Sequence, residues 1–324
     1  MISSGSPLCR SMTGEVRVSF CATNLNTFSN LPRSIASVQA LGDALEVPYE
    51  VVVADGPSTD GAREWLEARS KADGRVRRVG HAERNRGYGR RRAFEASSGS
   101  TVVPFDTSIE YAPVYGDLLR AYLRLGTDRM LFSEICALSR SSITAVGGWR
   151  DLIGGEDIDL YVRVVERFGV IAAPLPLRDS QSRVLSAVER QARYVGGGRL
   201  SRAMRMYRVQ RDQIIGANFR VRDLMQFNRR RSAGERFGRR VFFLVAYTGS
   251  KLRTIRPVVL PRNNYLMFRE RLLRSMAAGD FRDLLWKGPP PQLLLTDDEL
   301  DYLGANVPDW NEYSAANPPL VGRK

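Results

Sequence analysis

The hydrophobic positions of this chain change period along its length, and those changes set out its elements. Val16–Ala22 and Glu50–Ala54 are short apolar runs, the second β-branched at its centre, as expected of a strand buried on both faces. Val76–Val79, Thr101–Phe105 and Met130–Leu138 read as further extended segments. Between them apolar residues return at helical spacing, in Ser34–Leu45, in the segment opening at Asp60, and in Tyr88–Ser97, Val114–Leu125 and Glu156–Phe168. The Asp60 segment carries acids early and Lys71 late, as the helix macrodipole favours. This alternation of strand and helix predicts an α/β fold with a mostly parallel central sheet flanked by helices. Ligands on such sheets sit beyond the carboxyl ends of the strands.

From about Ser180 the pattern becomes arginine-rich and helical, in Ala187–Tyr194, Leu200–Ile215 and Tyr265–Ala278. Pro289-Pro290-Pro291 then breaks the chain, and Thr296-Asp297-Asp298-Glu299 resembles a capping box before a polar tail. The organisation expected is a flexible leader (1–14), an α/β body (15–180), a basic, mainly helical extension (181–287) and a Pro-rich polar tail (288–324).

Charge sharpens this division. The chain has 49 basic and 35 acidic residues, a net charge of +14. Between Arg178 and Arg282 there are 25 basic and 7 acidic residues, a balance of +18, so the remainder sums to −4. A nearly neutral body therefore carries a cationic extension, which points to one anionic partner surface. A hydrophobic fraction of 43% excludes a disordered or collagenous chain. Cys9, Cys21 and Cys136 have neither metal-ligand spacing nor the even number of a disulfide framework. No stretch approaches the roughly 18–20 apolar residues of a membrane span. Val241–Tyr247 is far too short, and the N-terminal segment lacks the apolar core of a secretory signal, so a cytoplasmic location is expected.

The unusual residues fall at the ends of the expected strands. Thr23–Thr27 (TNLNT) follows the first, Asp55-Gly56-Pro57-Ser58-Thr59-Asp60-Gly61 the second, and Asp106-Thr107-Ser108-Ile109-Glu110-Tyr111 the TVVPF strand. Gly147-Gly148-Trp149 precedes Gly154-Gly155-Glu156-Asp157, with Arg163 six residues after Asp157. Taken in this order, the four segments resemble the family-two inverting glycosyltransferases over roughly residues 15–180. The RNRGYGRRRAFEASSG segment looks closest to an archaeal-type branch. The resemblance implies a GT-A fold, a nucleotide-sugar donor and an Asp-x-Asp motif that binds a divalent cation.

Sugar transfer from a nucleoside diphosphate needs the nucleotide held, the leaving diphosphate neutralised and the acceptor hydroxyl deprotonated. Asp55 is the candidate nucleotide holder, with Thr23 and Asn26 completing its pocket; the alternative is that Asp55 merely caps a turn. Five arginines lie within Arg84–Arg92 around two glycines. A helix starting near Gly87 would offer free N–H groups as well as guanidiniums to the diphosphate, with Arg86 and Arg90 the chosen contacts. A solvated basic helix face is the other reading.

Asp106 is the candidate ligand of magnesium or manganese. Ser108 stands where the family has its second Asp, so Glu110 is the candidate second ligand, and weakened metal dependence is one expectation. Asp157 is the candidate general base, Glu156 its orienting partner, and Trp149 a stacking platform or a core residue. With His81 the only histidine, no His-centred triad or multi-histidine metal site can form. Serine-hydrolase elbow, Walker A and Rossmann patterns are absent.

In the extension, Arg199, Arg202 and Arg205 recur every third residue among Leu200, Met204, Tyr207 and Val209. A cationic amphipathic helix suits an anionic membrane surface on the inner face of the cell membrane, where a lipid-linked or glycan acceptor is one expectation. A plain core-facing helix fits the same spacing. Two other readings of the whole chain stay open. One is a nucleic-acid binder, for which the acidic strand ends have no use. The other is a GT-A-fold nucleotide binder without turnover.

Overall fold

The computed structural model describes residues 16–83, 85–132, 135–172, 183–184, 198–216 and 233–255. The leader, the expected helices Ala187–Tyr194 and Tyr265–Ala278, the triple proline and the Thr296–Glu299 cap lie outside the described residues.

The body begins with β1 (Val18–Asn24), α1 (Leu31–Ala44), β2 (Tyr49–Asp55), α2 (Ala62–Ala72), β3 (Val76–Gly80), α3 (Arg86–Ala96) and β4 (Thr101–Pro104). It continues with β5 (Ile109–Glu110), α4 (Val114–Leu125), β6 (Met130–Phe132), β7 (Leu138–Ser139), α5 (Arg140–Ala145), α6 (Glu156–Phe168), β8 (Val170–Ala172) and β9 (Arg183–Val184). Two longer helices follow, α7 (Arg199–Gly216) and α8 (Ala233–Lys251). The single extended segment expected over Met130–Leu138 is two separate strands. β6 pairs in parallel with β8, and β7 joins the main sheet.

That sheet has the order β3-β2-β1-β4-β7. Its first four strands are parallel and β7 runs antiparallel at the edge. Period-2 alternation sends Val51 and Val53 into one core and Val52 and Ala54 into the other. The first core includes Leu31, Ile35 and Leu41 of α1, Leu66 of α2 and Leu118 and Leu119 of α4. The second includes Ala93 of α3, Trp149, and Leu160 and Val164 of α6. Burying each such valine or leucine contributes roughly 1.5–3 kcal/mol, so both faces of the sheet must be covered, as they are. Strand order reverses between β1 and β4, which opens a crevice at their carboxyl ends.

α7 closes one side of that crevice. Its Asp212, fully buried, accepts the Ile153 N–H at 3.0 Å and pairs with Arg211 at 2.8 Å. The approach is close because Gly155 has no side chain. Its φ is +75°, and a Cβ there would stand 3.1 Å from the Gln213 Cα. α8 packs along α7 through Phe243 and Ala246, both buried. Among the described residues, eight of the nine exposed large hydrophobics lie on α7, on α8 or just beyond it: Leu200, Met204, Met206, Phe237, Val241, Leu244, Val245 and Leu252. Among the described residues no helix is long and apolar enough to cross a membrane.

Candidate active site

The crevice is a cavity of about 850 Å³. The β1 end supplies Thr23, Asn24, Leu25 and Thr27, and the β2 and β3 ends supply Gly56 and His81. Arg86 and Arg90 enter from α3, Asp106 and Thr107 from beyond β4, and Glu156 and Asp157 from the first turn of α6. α7 contributes a further wall that includes Leu200, Ser201, Met204, Arg205 and Arg208. Thr23, Arg86, Arg90, Asp106, Glu156 and Asp157 thus converge as the sequence suggested. Asp55, Asn26 and Glu110 do not line the cavity.

Asp55 lies just behind the wall, with both carboxylate oxygens engaged. Oδ1 accepts Asn24 Nδ2 at 2.8 Å and the Ser58 hydroxyl at 2.8 Å, and Oδ2 pairs with Arg78 at 3.1 Å. Asn26, at φ 52°, accepts the Thr59 N–H at 2.8 Å and so knits the two strand-end loops together. Glu110 lies in β5, paired with Arg183 of β9, and is not part of the cavity wall. Among the described residues no three acidic, His or Cys side chains cluster around a common point.

Asp106 engages Ser108 through one oxygen of its carboxylate. Its Oδ1 accepts both the Ser108 N–H at 2.8 Å and the Ser108 hydroxyl at 2.6 Å. Burial would raise its pKa, but the field of Arg86 and these two donors outweigh burial and hold it below the ordinary value. Ser108 thus serves the carboxylate next to it and is no substitute ligand. For Oδ2 no hydrogen-bond partner exists among the described residues. A carboxylate in the wall of this cavity, with one oxygen outside the Ser108 hydrogen bonds, fits magnesium or manganese, which take one or two carboxylates and fill their remaining positions with phosphate and water.

The arginine segment departs from expectation in two ways. α3 begins at Arg86, but its first amides are occupied: Tyr88 N–H donates to the Asn85 cap at 3.2 Å, and Gly87 N–H to the Leu152 carbonyl at 2.9 Å. The helix-end half of the expected anion site is therefore replaced by ordinary capping, and the guanidiniums remain. Gly87 is required here, since a Cβ would strike the Arg150 carbonyl. Arg90 also turns inward. Only 8% exposed, it donates to the carbonyls of Phe105 at 2.6 Å and Cys21 at 3.2 Å, and to Asp157 Oδ2 at 3.1 Å. Burial opposes its charge, and Asp157 beside it overcomes this, so its pKa is raised.

Asp157 is fixed from both sides. Arg90 holds Oδ2, and the Trp149 indole N–H donates to Oδ1 at 2.8 Å. Trp149 is 1% exposed, which makes it a core residue that orients Asp157, not a stacking platform. Arg163 lies outside the cavity wall and pairs with Asp159 at 2.7 Å. His81 is half-buried, its two ring nitrogens are buried without a hydrogen-bond partner among the described residues, and burial lowers its pKa.

Glu156 is 4% exposed, its Oε2 is buried without a partner among the described residues, and Arg86 lies 3.8 Å from Oε1. Burial raises its pKa to about 7; Arg86 opposes the rise and Asp157 reinforces it. The folded protein therefore holds this proton where the unfolded chain has released it. The resulting stability is fully present below pH 4.5 and is lost as pH rises through about 7. Glu156→Gln, which imitates the protonated acid, should gain stability over the parent as pH rises from 5 to 9. A tenfold difference in proton affinity between the folded and unfolded states is worth about 1.36 kcal/mol, so the gain approaches roughly 3 kcal/mol. Denaturant melts at both pH values check it, and a pH-independent difference contradicts a raised Glu156 pKa.

Fold and cavity together define a class: an α/β protein with a mostly parallel sheet whose acidic site lies at the sheet's switch point. Residues 19–128 match the model of the family described as Glycosyl transferase family 2. The matched segment contains Asp55, Arg86, Arg90 and Asp106 and ends before Glu156 and Asp157. A comparison with curated proteins gave no match.

Among solved structures the chain is similar to glucosyl-3-phosphoglycerate synthase from Mycobacterium tuberculosis, solved with Mn2+, UDP and phosphoglyceric acid. The two are 21% identical over 48% of this chain and 66% of that one, with a TM-score of 0.38. It is also similar to the mannosyltransferase PcManGT from Pyrobaculum calidifontis, solved with GDP-Man and Mn2+ (15% identity, 95% and 86% of the two chains, TM-score 0.44). A third similar structure is S. aureus TarS 1-349 (12% identity, 83% and 89%, TM-score 0.45).

Proposed function

We propose that the chain transfers a sugar, with inversion, from a nucleoside-diphosphate sugar to an acceptor hydroxyl. One observation carries this reading: Asp106 and Asp157, far apart in sequence, line one cavity at the β1/β4 switch point. The nucleotide occupies the strand ends at Thr23, Asn24, Gly56 and His81, with Asp55 and Asn26 bracing that floor from behind. Arg86 faces the diphosphate. Asp106 would hold a divalent cation, which when bound neutralises charge growing on the leaving diphosphate. Asp157 accepts the proton of the acceptor hydroxyl as that oxygen attacks the anomeric carbon from the opposite face, so a single displacement inverts configuration. Arg90 and Trp149 keep its carboxylate oriented, and Glu156 contacts the acceptor.

The exposed apolar residues of α8, flanked by exposed Arg240 and Lys251, suit the interfacial zone of an anionic membrane, where the acceptor would be lipid-linked. A nucleic-acid strand fits less well, because it leaves the acids Asp106, Glu156 and Asp157 in the cavity wall without a use. The kinship to an archaeal-type branch rests on the RNRGYG segment.

The test is a thermal-shift panel of UDP, GDP and other nucleoside diphosphates, with and without manganese. A ligand at 100 times its Kd should stabilise the protein by about 2.7 kcal/mol. Asp106→Asn should remove the manganese-dependent part of the shift. If no nucleoside diphosphate shifts the melt, the assignment of this cavity is wrong.

A further inference from the structure

The helix read from sequence as a membrane-facing cationic face is divided between two environments. Arg202 is exposed and lies outside the cavity wall, whereas the exposed Ser201 and Arg208 and the half-buried Arg205 line the cavity. These three positions follow i, i+4, i+7 spacing, which puts a hydroxyl and two guanidiniums in one row along α7. Leu200 and Met204, each one residue earlier than a member of that row, line the same cavity and form an apolar strip beside it. Both remain open, at 77% and 45% exposure.

α7 also has a fixed relation to the acids. Its Val209 and Gln213 pack on Gly154 and Gly155, which lead directly into Glu156 and Asp157. The polar row thus enters from the element that abuts the acceptor-activating turn, while Arg86 and Asp106 enter from α3 and β4. Guanidiniums beside a hydroxyl recognise phosphate-type anions through charge-assisted, bidentate hydrogen bonds.

We propose that Ser201, Arg205 and Arg208 form an anion subsite for the acceptor, selecting a hydroxyl compound that carries a phosphate-type group next to an apolar portion. This rests on the glycosyltransferase reading above and adds the acceptor's chemical class to it. The ligand chemistry is the phosphate group, whether it belongs to a lipid headgroup or to a free molecule.

The experiment fills the donor site first, with saturating UDP or GDP and manganese, and then titrates sn-glycerol 3-phosphate against glycerol by calorimetry. The expected result is binding of the phosphate compound alone, weakened at least tenfold in Arg205→Gln/Arg208→Gln. The Arg205→Lys/Arg208→Lys variant, which keeps both charges, should recover part of the affinity. Nucleoside diphosphate affinity of the Gln variant should stay within about threefold of the parent, since the donor's anions face Arg86 and Asp106.

Co-sedimentation with phosphatidylglycerol and phosphatidylcholine vesicles distinguishes the sources. Loss of phosphatidylglycerol binding in the Gln variant identifies a lipid headgroup, and retained vesicle binding with lost glycerol phosphate binding identifies a free phosphate. Absence of any phosphate binding to the nucleotide-filled protein overturns the proposal. So does an equal loss of nucleotide affinity, which would assign the row to the donor. If no nucleoside diphosphate binds at all, the parent reading fails, and phosphate binding to the free protein, lost in the Gln variant, still reports on the subsite by itself.

Discussion

Asp157→Asn should lower sugar transfer by about 10²–10⁴-fold, the range that a positioned general base contributes. The reasoning starts from the two hydrogen bonds on its carboxylate, from Trp149 and Arg90. An asparagine keeps the shape and can accept from one of these two donors, its amide nitrogen meeting the other, but it takes no proton, so the side chain is held less firmly and the chemistry is lost. Nucleoside diphosphate affinity should change by no more than a few-fold, because the contacts proposed for the donor lie at Arg86, Asp106 and the strand ends. Steady-state kinetics beside calorimetry on one preparation give both numbers. Glu156→Gln is the control that makes the result decisive. If it abolishes transfer while Asp157→Asn remains active, the base is the buried acid with the raised pKa, and the roles of the two residues are exchanged.

Much of the fold was legible because the signals were local. Val51–Ala54 is apolar at every position, and that pattern is explained by a strand covered on both faces. The acids at strand ends and at a glycine-led helix start were legible for the same reason: the α/β topology brings such positions together whatever their distance in sequence. Glu110 shows where this logic stops. Its side chain is directed by a two-residue strand paired with β9, a contact between residues 109–110 and 183–184 that leaves no periodic mark. Arg90 was hidden differently. In a run of arginines nothing local says which one turns inward, and only the neighbouring carbonyls of Cys21 and Phe105 decide it. The polar row on α7 reads equally as a solvent, membrane or ligand face until Asp212 docks the helix. α8 was visible in sequence only as its apolar centre, because Gly234, Gly238 and Gly249 weaken the helical pattern around it.

The largest expected effect on stability belongs to a residue outside the cavity wall. Asp159 is 1% exposed and pairs with Arg163 at 2.7 Å and with Arg150. Arg163 in turn donates to the carbonyls of Val146 and Gly148, at 2.7 Å for the latter. This cluster ties α6 to the loop that carries Trp149, and Trp149 orients Asp157. Removing one partner of a buried ion pair leaves the other charge uncompensated, at a cost of about 3–5 kcal/mol. Asp159→Ala should therefore lower the melting temperature by roughly 10 °C, at about 2–4 °C per kcal/mol for a domain of this size. Transfer measured below the variant's melting temperature should fall as well, through a loosened Trp149–Asp157 bond, while binding of the nucleotide at the distant strand ends persists. A variant that melts with the parent would mean that the three-residue charge cluster contributes nothing net. The Gly148–Trp149 loop would then be held by its packing against Phe94, whose ring centroid lies 5.8 Å from the indole.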